Sequence, residues 1–227
     1  MSDKVEHAEK DVVLQLQHFW QRNGKLSSII LLVIAIIIGG WYGYNQLILK
    51  PKEARAADAM FRAEQYFAVD SSNLVLNGDG VNKGMLYVIK NFGGTKAANL
   101  AKFYAGISYL KLGNYAKAAE YLKDFSTNAK QVQMVAYGAL GDALSELNKK
   151  DDAVEAYQKA ADTFTDDAGS SAEYLFRAGL LSETMGKNKQ AVELYKQIKE
   201  KYPATEKGYQ IDKYIYRLSI EKNDFSN

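Results

Sequence analysis

Ala105-Gly106-Ile107-Ser108-Tyr109-Leu110-Lys111-Leu112-Gly113-Asn114-Tyr115, followed by Ala118, Leu122 and Phe125, carries a pattern that the chain goes on to repeat. Gly106 lets a second helix approach closely, Gly113-Asn114 supplies a turn, and Ala118 packs beneath on the second helix. One unit later the same order returns as Tyr137, Leu140, Gly141 and Leu144, then Asn148, Ala153, Tyr157 and Ala160. It returns again as Leu175, Ala178, Gly179 and Gly186, then Ala191, Tyr195 and Ile198. Pro203 ends that last helix, because a proline ring cannot continue it. Residues 163–171 read as an insertion that lengthens the connection ahead of the third unit.

Helix pairs recurring at about 34 residues are the signature of the tetratricopeptide repeat. Several positions recur in order across the units, whereas any single glycine or alanine would carry no weight. Upstream, Ala56, Ala59, Met60, Ala63 and Phe67 mark a helix and 85–92 a shorter one. With the atypical segment 73–83 between them, they read as a degenerate first pair. Downstream, Ile211, Tyr214, Ile215 and Leu218 share one helical face, as a terminal helix covering the last repeat would require.

Ahead of the repeats, 26–49 carries no charge and 29–38 is almost purely Ile, Leu, Val and Ala. A helix needs roughly 20 such residues to cross the hydrocarbon layer. A buried core helix would show a polar side, and a cleaved signal would show a short basic leader and an Ala-x-Ala site; neither is present. Trp41, Tyr42 and Tyr44 at one end and Phe19 and Trp20 at the other supply aromatic anchors for the two interfaces. Gly39 and Gly43 form a small-xxx-small pair through which another membrane helix can pack. Before the span, Val12, Val13, Leu16, Phe19 and Trp20 recur at helical spacing. That segment either lies on the membrane face or extends the anchor, with Asn23-Gly24 offering a break. Arg22 and Lys25 on one side against Lys50, Lys52, Arg55 and Arg62 on the other leave orientation open by charge counting.

The expected architecture is therefore all-α: a single transmembrane helix, then a repeat solenoid closed by a capping helix. Its parts are an N-terminal segment 1–25, the span 26–49, the degenerate pair and Gly-rich loop 50–97, the three repeats 98–204, and the cap and tail 205–227.

Composition narrows the chemistry. The net charge is +2 and basic residues alternate with acidic ones, so the electrostatic footprint of a nucleic-acid binder is missing. There is no cysteine, and the only histidines, His7 and His18, precede the span. Thiol and imidazole chemistry are thus excluded from the repeats. Asn77-Gly78-Asp79-Gly80-Val81-Asn82 has the oxygen-and-glycine alternation of a calcium loop but lacks the later glutamate, and reads as a turn. Asp151-Asp152 and Asp166-Asp167 fall at predicted turns or helix starts, where capping accounts for them. No catalytic site, cofactor or metal is expected. Tyr109, Tyr137, Tyr157 and Tyr195 fall where repeat helices pack and are expected in the core. Stacked pairs create a groove lined by first helices, where a peptide or partner helix can lie. Counting from Gly106, that register selects Phe103 and Ile107, then Gly138, Asp142 and Glu146, then Phe176, Leu180 and Glu183.

The stretch Phe19-Trp20-Gln21-Arg22-Asn23-Gly24-Lys25, the apolar helix after it, and Gly40-Trp41-Tyr42-Gly43-Tyr44-Asn45 resemble the YfgM family, and the similarity continues into the helical repeats. The resemblance implies an ancillary subunit of the bacterial Sec translocon. It implies one inner-membrane helix, a cytoplasmic N-terminus, a periplasmic repeat domain, and SecYEG and a PpiD-like chaperone as partners. An assembly scaffold for an envelope or secretion complex, independent of the translocon, is the second reading the residues leave open.

Overall fold

A computed structural model describes the backbone of residues 2–221 and the side chains of residues 20–219 other than Arg22. The side chains of Val12, Val13, Leu16 and Phe19, those of His7 and His18, and the tail 222–227 lie outside the described residues. The chain divides into two compact units, Met1–Lys52 and Glu53–Asn227.

The first unit is helical. Helix α1 spans Ser2–Tyr44 and a π-helical turn spans Asn45–Leu49. The helix runs through Asn23-Gly24 without interruption, so the extension reading holds and the break does not form. Between Leu26 and Ile48 the large apolar side chains stand exposed. The run Asn23–Ala68 contains one stretch long and apolar enough to cross a membrane, and none of that stretch is buried. A methyl group added at Gly39 or Gly43 would meet nothing within 4 Å.

In the second unit α2 (Lys50–Ala68) buries Ala56, Met60 and Ala63. The atypical segment 73–83 opens within a short helix, α3 (Ser72–Asn77), ahead of the Gly-rich turn and α4 (Met85–Asn91). The three pairs follow: α5 (Lys96–Lys111) with α6 (Tyr115–Lys123), α7 (Lys130–Glu146) with α8 (Lys150–Thr163), and α9 (Ala168–Thr184) with α10 (Asn188–Lys201). Helix α11 (Glu206–Glu221) closes the series and buries Ile211 and Leu218. The insertion expected over 163–171 shrinks to 164–167. Asp167 accepts the Ser170 amide at 3.0 Å, which starts α9 a turn earlier than the polar sequence suggested.

The repeating residues act as the sequence implies. Gly106, Gly141 and Gly179 lie directly beneath Leu122, Tyr157 and Tyr195, each pair at the same separation along the chain. Ala118, Ala153 and Ala191 are each 0% exposed. Between paired helices, Gly113, Asn148 and Gly186 take φ of +73°, +58° and +70°. Asparagine substitutes here for glycine because it is among the few residues that tolerate the left-handed region. The amides that follow close each turn: Asn114 to the Tyr109 carbonyl, Lys149 to Leu144 and Lys187 to Ser182, all at 2.9 Å. One apolar cluster joins α8, α9, α10 and α11, a second joins α2 to α5, and a third bridges the first two complete pairs around Leu122, Phe125, Ala136 and Ala139.

Candidate protein-binding surfaces

The first helices α5, α7 and α9 position the residues selected from sequence, and they do so unequally. On α5, Phe103 packs its ring 5.4 Å from Phe125, and with Ile107 it remains partly exposed beside the third apolar cluster. On α7, Gly138 is covered by Tyr174 of the next pair. Asp142 accepts the Tyr157 hydroxyl at 2.7 Å and Nη1 of Arg177 at 3.0 Å, while Glu146 is exposed at the helix end. On α9, Phe176 is only 7% exposed. Its ring lies 4.9 Å from that of Tyr214 on α11, and Nζ of Lys207 sits 4.5 Å over its face. Leu180 is 36% exposed, and Glu183 accepts from the Tyr195 hydroxyl and from the Arg217 guanidinium.

Asp142 and Glu183 on this face therefore brace one helix pair against the element that follows, while Glu146 stays exposed. Arg177 also donates to Glu173 at 2.9 Å, and Lys207 reaches Glu173 at 3.2 Å. Burial disfavours the charged form of Glu173, but the hydrogen bonds from Arg177 and Lys207 outweigh it and hold its carboxyl below the usual range. Burial, reinforced by the bond to Asp142, pushes the Tyr157 hydroxyl well up, and burial with Glu183 does the same for Tyr195. Both phenols thus stay protonated donors. Sequence periodicity found Asp142 and Glu183 but missed Arg177 and Arg217, because each cation comes from a later helix.

A second surface lies on the opposite side. A cleft of about 780 Å³ opens between α6 and α8, floored by Tyr137, Leu140 and Leu144 of α7. Tyr109, Tyr157 and Tyr195 are buried as expected, but Tyr137 is not; it lines this cleft half-exposed.

The Gly-rich loop forms a closed turn. Oδ1 of Asp79 accepts the amides of Val81 at 2.9 Å and Asn82 at 2.6 Å. Oδ2 accepts the Tyr66 hydroxyl at 2.6 Å and the Asn82 amide group at 2.8 Å. The Tyr66 bond, followed by those from Asn82, holds the Asp79 carboxyl far below its ordinary range. Its oxygens are occupied by donors from the chain itself. Among the described residues no group of three or more His, Asp or Glu side chains gathers in a metal-holding arrangement.

A tetratricopeptide repeat-like domain model matches residues 17–140, and tetratricopeptide repeat models match 135–163 and 173–205. No curated protein matches the chain. Among solved structures, a crystal structure of MamA protein aligns with a TM-score of 0.51 at 17% identity, over 79% of this chain and 98% of that one. Another crystal structure of MamA aligns with a TM-score of 0.44 at 20% identity, over 63% of this chain and 88% of that one. At 17% identity the first of these likenesses is one of fold alone. The repeat-like model spans more than half of the chain and takes in the helix pair built on Gly106, while the two repeat models cover the pairs built on Gly141 and Gly179; the chain belongs to the tetratricopeptide repeat-like domain family.

Proposed function

We propose that this protein is a non-catalytic, membrane-anchored interaction module, an ancillary subunit of the Sec translocon that helps handle newly translocated proteins on the periplasmic side of a bacterial inner membrane. The observation that carries the reading is the coupling, in one chain, of an unburied apolar helix of spanning length with a repeat domain of a protein-binding family. Its resemblance to the YfgM family around Phe19–Lys25 and Gly40–Asn45 directs the choice of partners, SecYEG and a PpiD-like chaperone, and of an orientation with the N-terminus in the cytoplasm. Gly39 and Gly43 supply the contact within the bilayer, where a bare backbone stripe allows close helix packing. Phe103, Ile107, Glu146 and Leu180 supply the accessible part of the first-helix face, with Asp142, Phe176 and Glu183 setting its shape.

The test is a mild-detergent purification of the tagged full-length protein from its native membrane, beside a Gly39→Leu, Gly43→Leu variant. SecYEG or a PpiD-like chaperone should co-purify in stoichiometric amount and diminish in the variant. Recovery of a different stoichiometric assembly, without Sec components, would leave the scaffold reading in its place.

A further inference from the structure

The cleft over α7 runs between α6 and α8, with Ala119, Glu120 and Lys123 on one wall and Asp152, Glu155 and Lys159 on the other. The next pair leaves no such opening. Leu175, Ala178 and Ser182, which occupy in α9 the places of Tyr137, Leu140 and Leu144, are 2%, 0% and 0% exposed, while the α7 residues stay partly exposed.

The charges on the walls are ordered. In the shared register Glu120 of α6 stands level with Glu155 of α8, and Lys123 nearly level with Lys159. Like charges face each other, so the walls do not bridge the gap themselves. Asp152 lies a turn before Glu155, and Lys149 stands at the mouth. Glu155 is paired with Lys159 at 2.6 Å, but no ion pair among the described residues engages the side chains of Glu120, Lys123 or Asp152.

A matching surface is present on the same chain. The outer side of α11 carries Glu206, Tyr209, Lys213 and Tyr216, all exposed, the tyrosines at 77% and 68%. Glu206 and Lys213 are separated by the same number of residues as Asp152 and Lys159, about 10 Å of helical rise. Laid antiparallel to α8, such a helix sets Glu206 against Lys159 and Lys213 against Asp152. Tyr209 then falls between them, over Leu140 and Tyr137. The antiparallel sense also opposes the helix dipoles favourably.

We propose that the α6–α8 cleft receives α11 of a second copy of this chain. The contact is heterologous, since cleft and helix are different surfaces, so it extends into rows rather than closing as a two-fold pair. One helix in one cleft buries less than the roughly 1,200 Å² of a stable interface. On the membrane-anchored reading proposed above, confinement to a bilayer raises the effective concentration at which so small a contact forms. The inference concerns a different surface from the first-helix face and is independent of which protein that face holds.

Because the chain has no native cysteine, cross-linking reads the contact directly. Lys149→Cys and Tyr216→Cys introduced together into the full-length protein in native membranes should give, on oxidation, a ladder of dimers, trimers and larger species. Either cysteine alone should give no ladder, and mixing the two single variants should give dimers only. Lys213→Glu in the double-cysteine background should cut cross-linking at least fivefold, and adding Asp152→Lys should restore it, a rescue that damage to the fold would not produce. Absence of the ladder, symmetric dimers from one cysteine alone, loss without rescue, or cross-linking of the Lys149→Cys variant to a different protein would each overturn the proposal.

Discussion

At the scale of single residues, the repeat is held by close approaches that leave no room for a methyl group. A Cβ on Gly141 would lie 2.6 Å from Cδ1 of Tyr157. That ring cannot swing aside easily, since it is 5% exposed and its hydroxyl is tied to Asp142. Alanine in place of glycine gains up to about 1 kcal/mol of helix propensity. Overpacking a core costs about 1–3 kcal/mol. The second effect wins, so Gly141→Ala should lower stability by about 1 kcal/mol. Gly169, in the first turn of α9, has its nearest neighbour, Oδ1 of Asp167, at 3.7 Å. There Gly169→Ala should be neutral or stabilising by up to about 1 kcal/mol. Denaturant unfolding of the two variants followed by circular dichroism distinguishes them, and equal effects would show that the contact at Tyr157 does not govern the repeat.

At the scale of elements, one carboxylate of α2 caps the start of α5, beside the apolar cluster that the two helices share. Glu53 accepts the amides of Lys96 and Ala97, both at 2.7 Å, and Thr95 accepts that of Ala98 at 3.0 Å. Together they satisfy the donors that open α5, and the Glu53 charge sits at the positive end of the helix. Glu53→Ala should cost about 1–2 kcal/mol. Its signature is roughly tenfold faster hydrogen exchange at the first turn of α5, with that of α9 unchanged; uniform acceleration would instead mean global destabilisation. Glu53 is far from α5 in sequence, so periodicity could not reveal this bond. The same limit explains the other differences between sequence and structure. The three pairs were legible because glycine, alanine and aromatic positions recur from unit to unit, and the cap because Ile211, Tyr214, Ile215 and Leu218 share one helical face. Helix α3 was not, because its 6 residues are too few to display a period. The start of α9 was half legible: the capping read at Asp166-Asp167 holds at Asp167, but Ala168-Gly169-Ser170-Ser171 after it has the composition of a loop and made the connection read too long. On the first-helix face the register located Asp142, Glu183 and Phe176, but their engagement by Arg177, Arg217 and Tyr214 arises from stacking between helices.

At the scale of the whole molecule, the two units meet the hydrophobic effect in opposite ways. The second gathers its apolar side chains into shared clusters, with Tyr195, Met85, Leu122, Leu194 and Ile198 fully buried. The first leaves Ile29, Leu32, Ile36, Ile37 and Ile38 at 59–65% exposure. Apolar area left in water costs about 25 cal/mol per Å², and α1 has no core of its own to remove it. A lipid environment removes that cost for an unbroken helix, whose backbone groups are already paired. A cleaved export signal would satisfy the same pattern of length and composition, and the two alternatives differ in mass and in extraction. If the segment is a retained anchor, the protein isolated from its native cell should keep the full 25.3 kDa of the chain and stay with the membrane pellet through alkaline carbonate washing. A variant lacking residues 2–49 should move to the soluble fraction with its helical circular dichroism preserved, because the buried clusters lie beyond Glu53. A shortened, extractable native protein would identify the apolar helix as a leader, and the repeat domain would then have to reach any membrane complex through protein contacts alone.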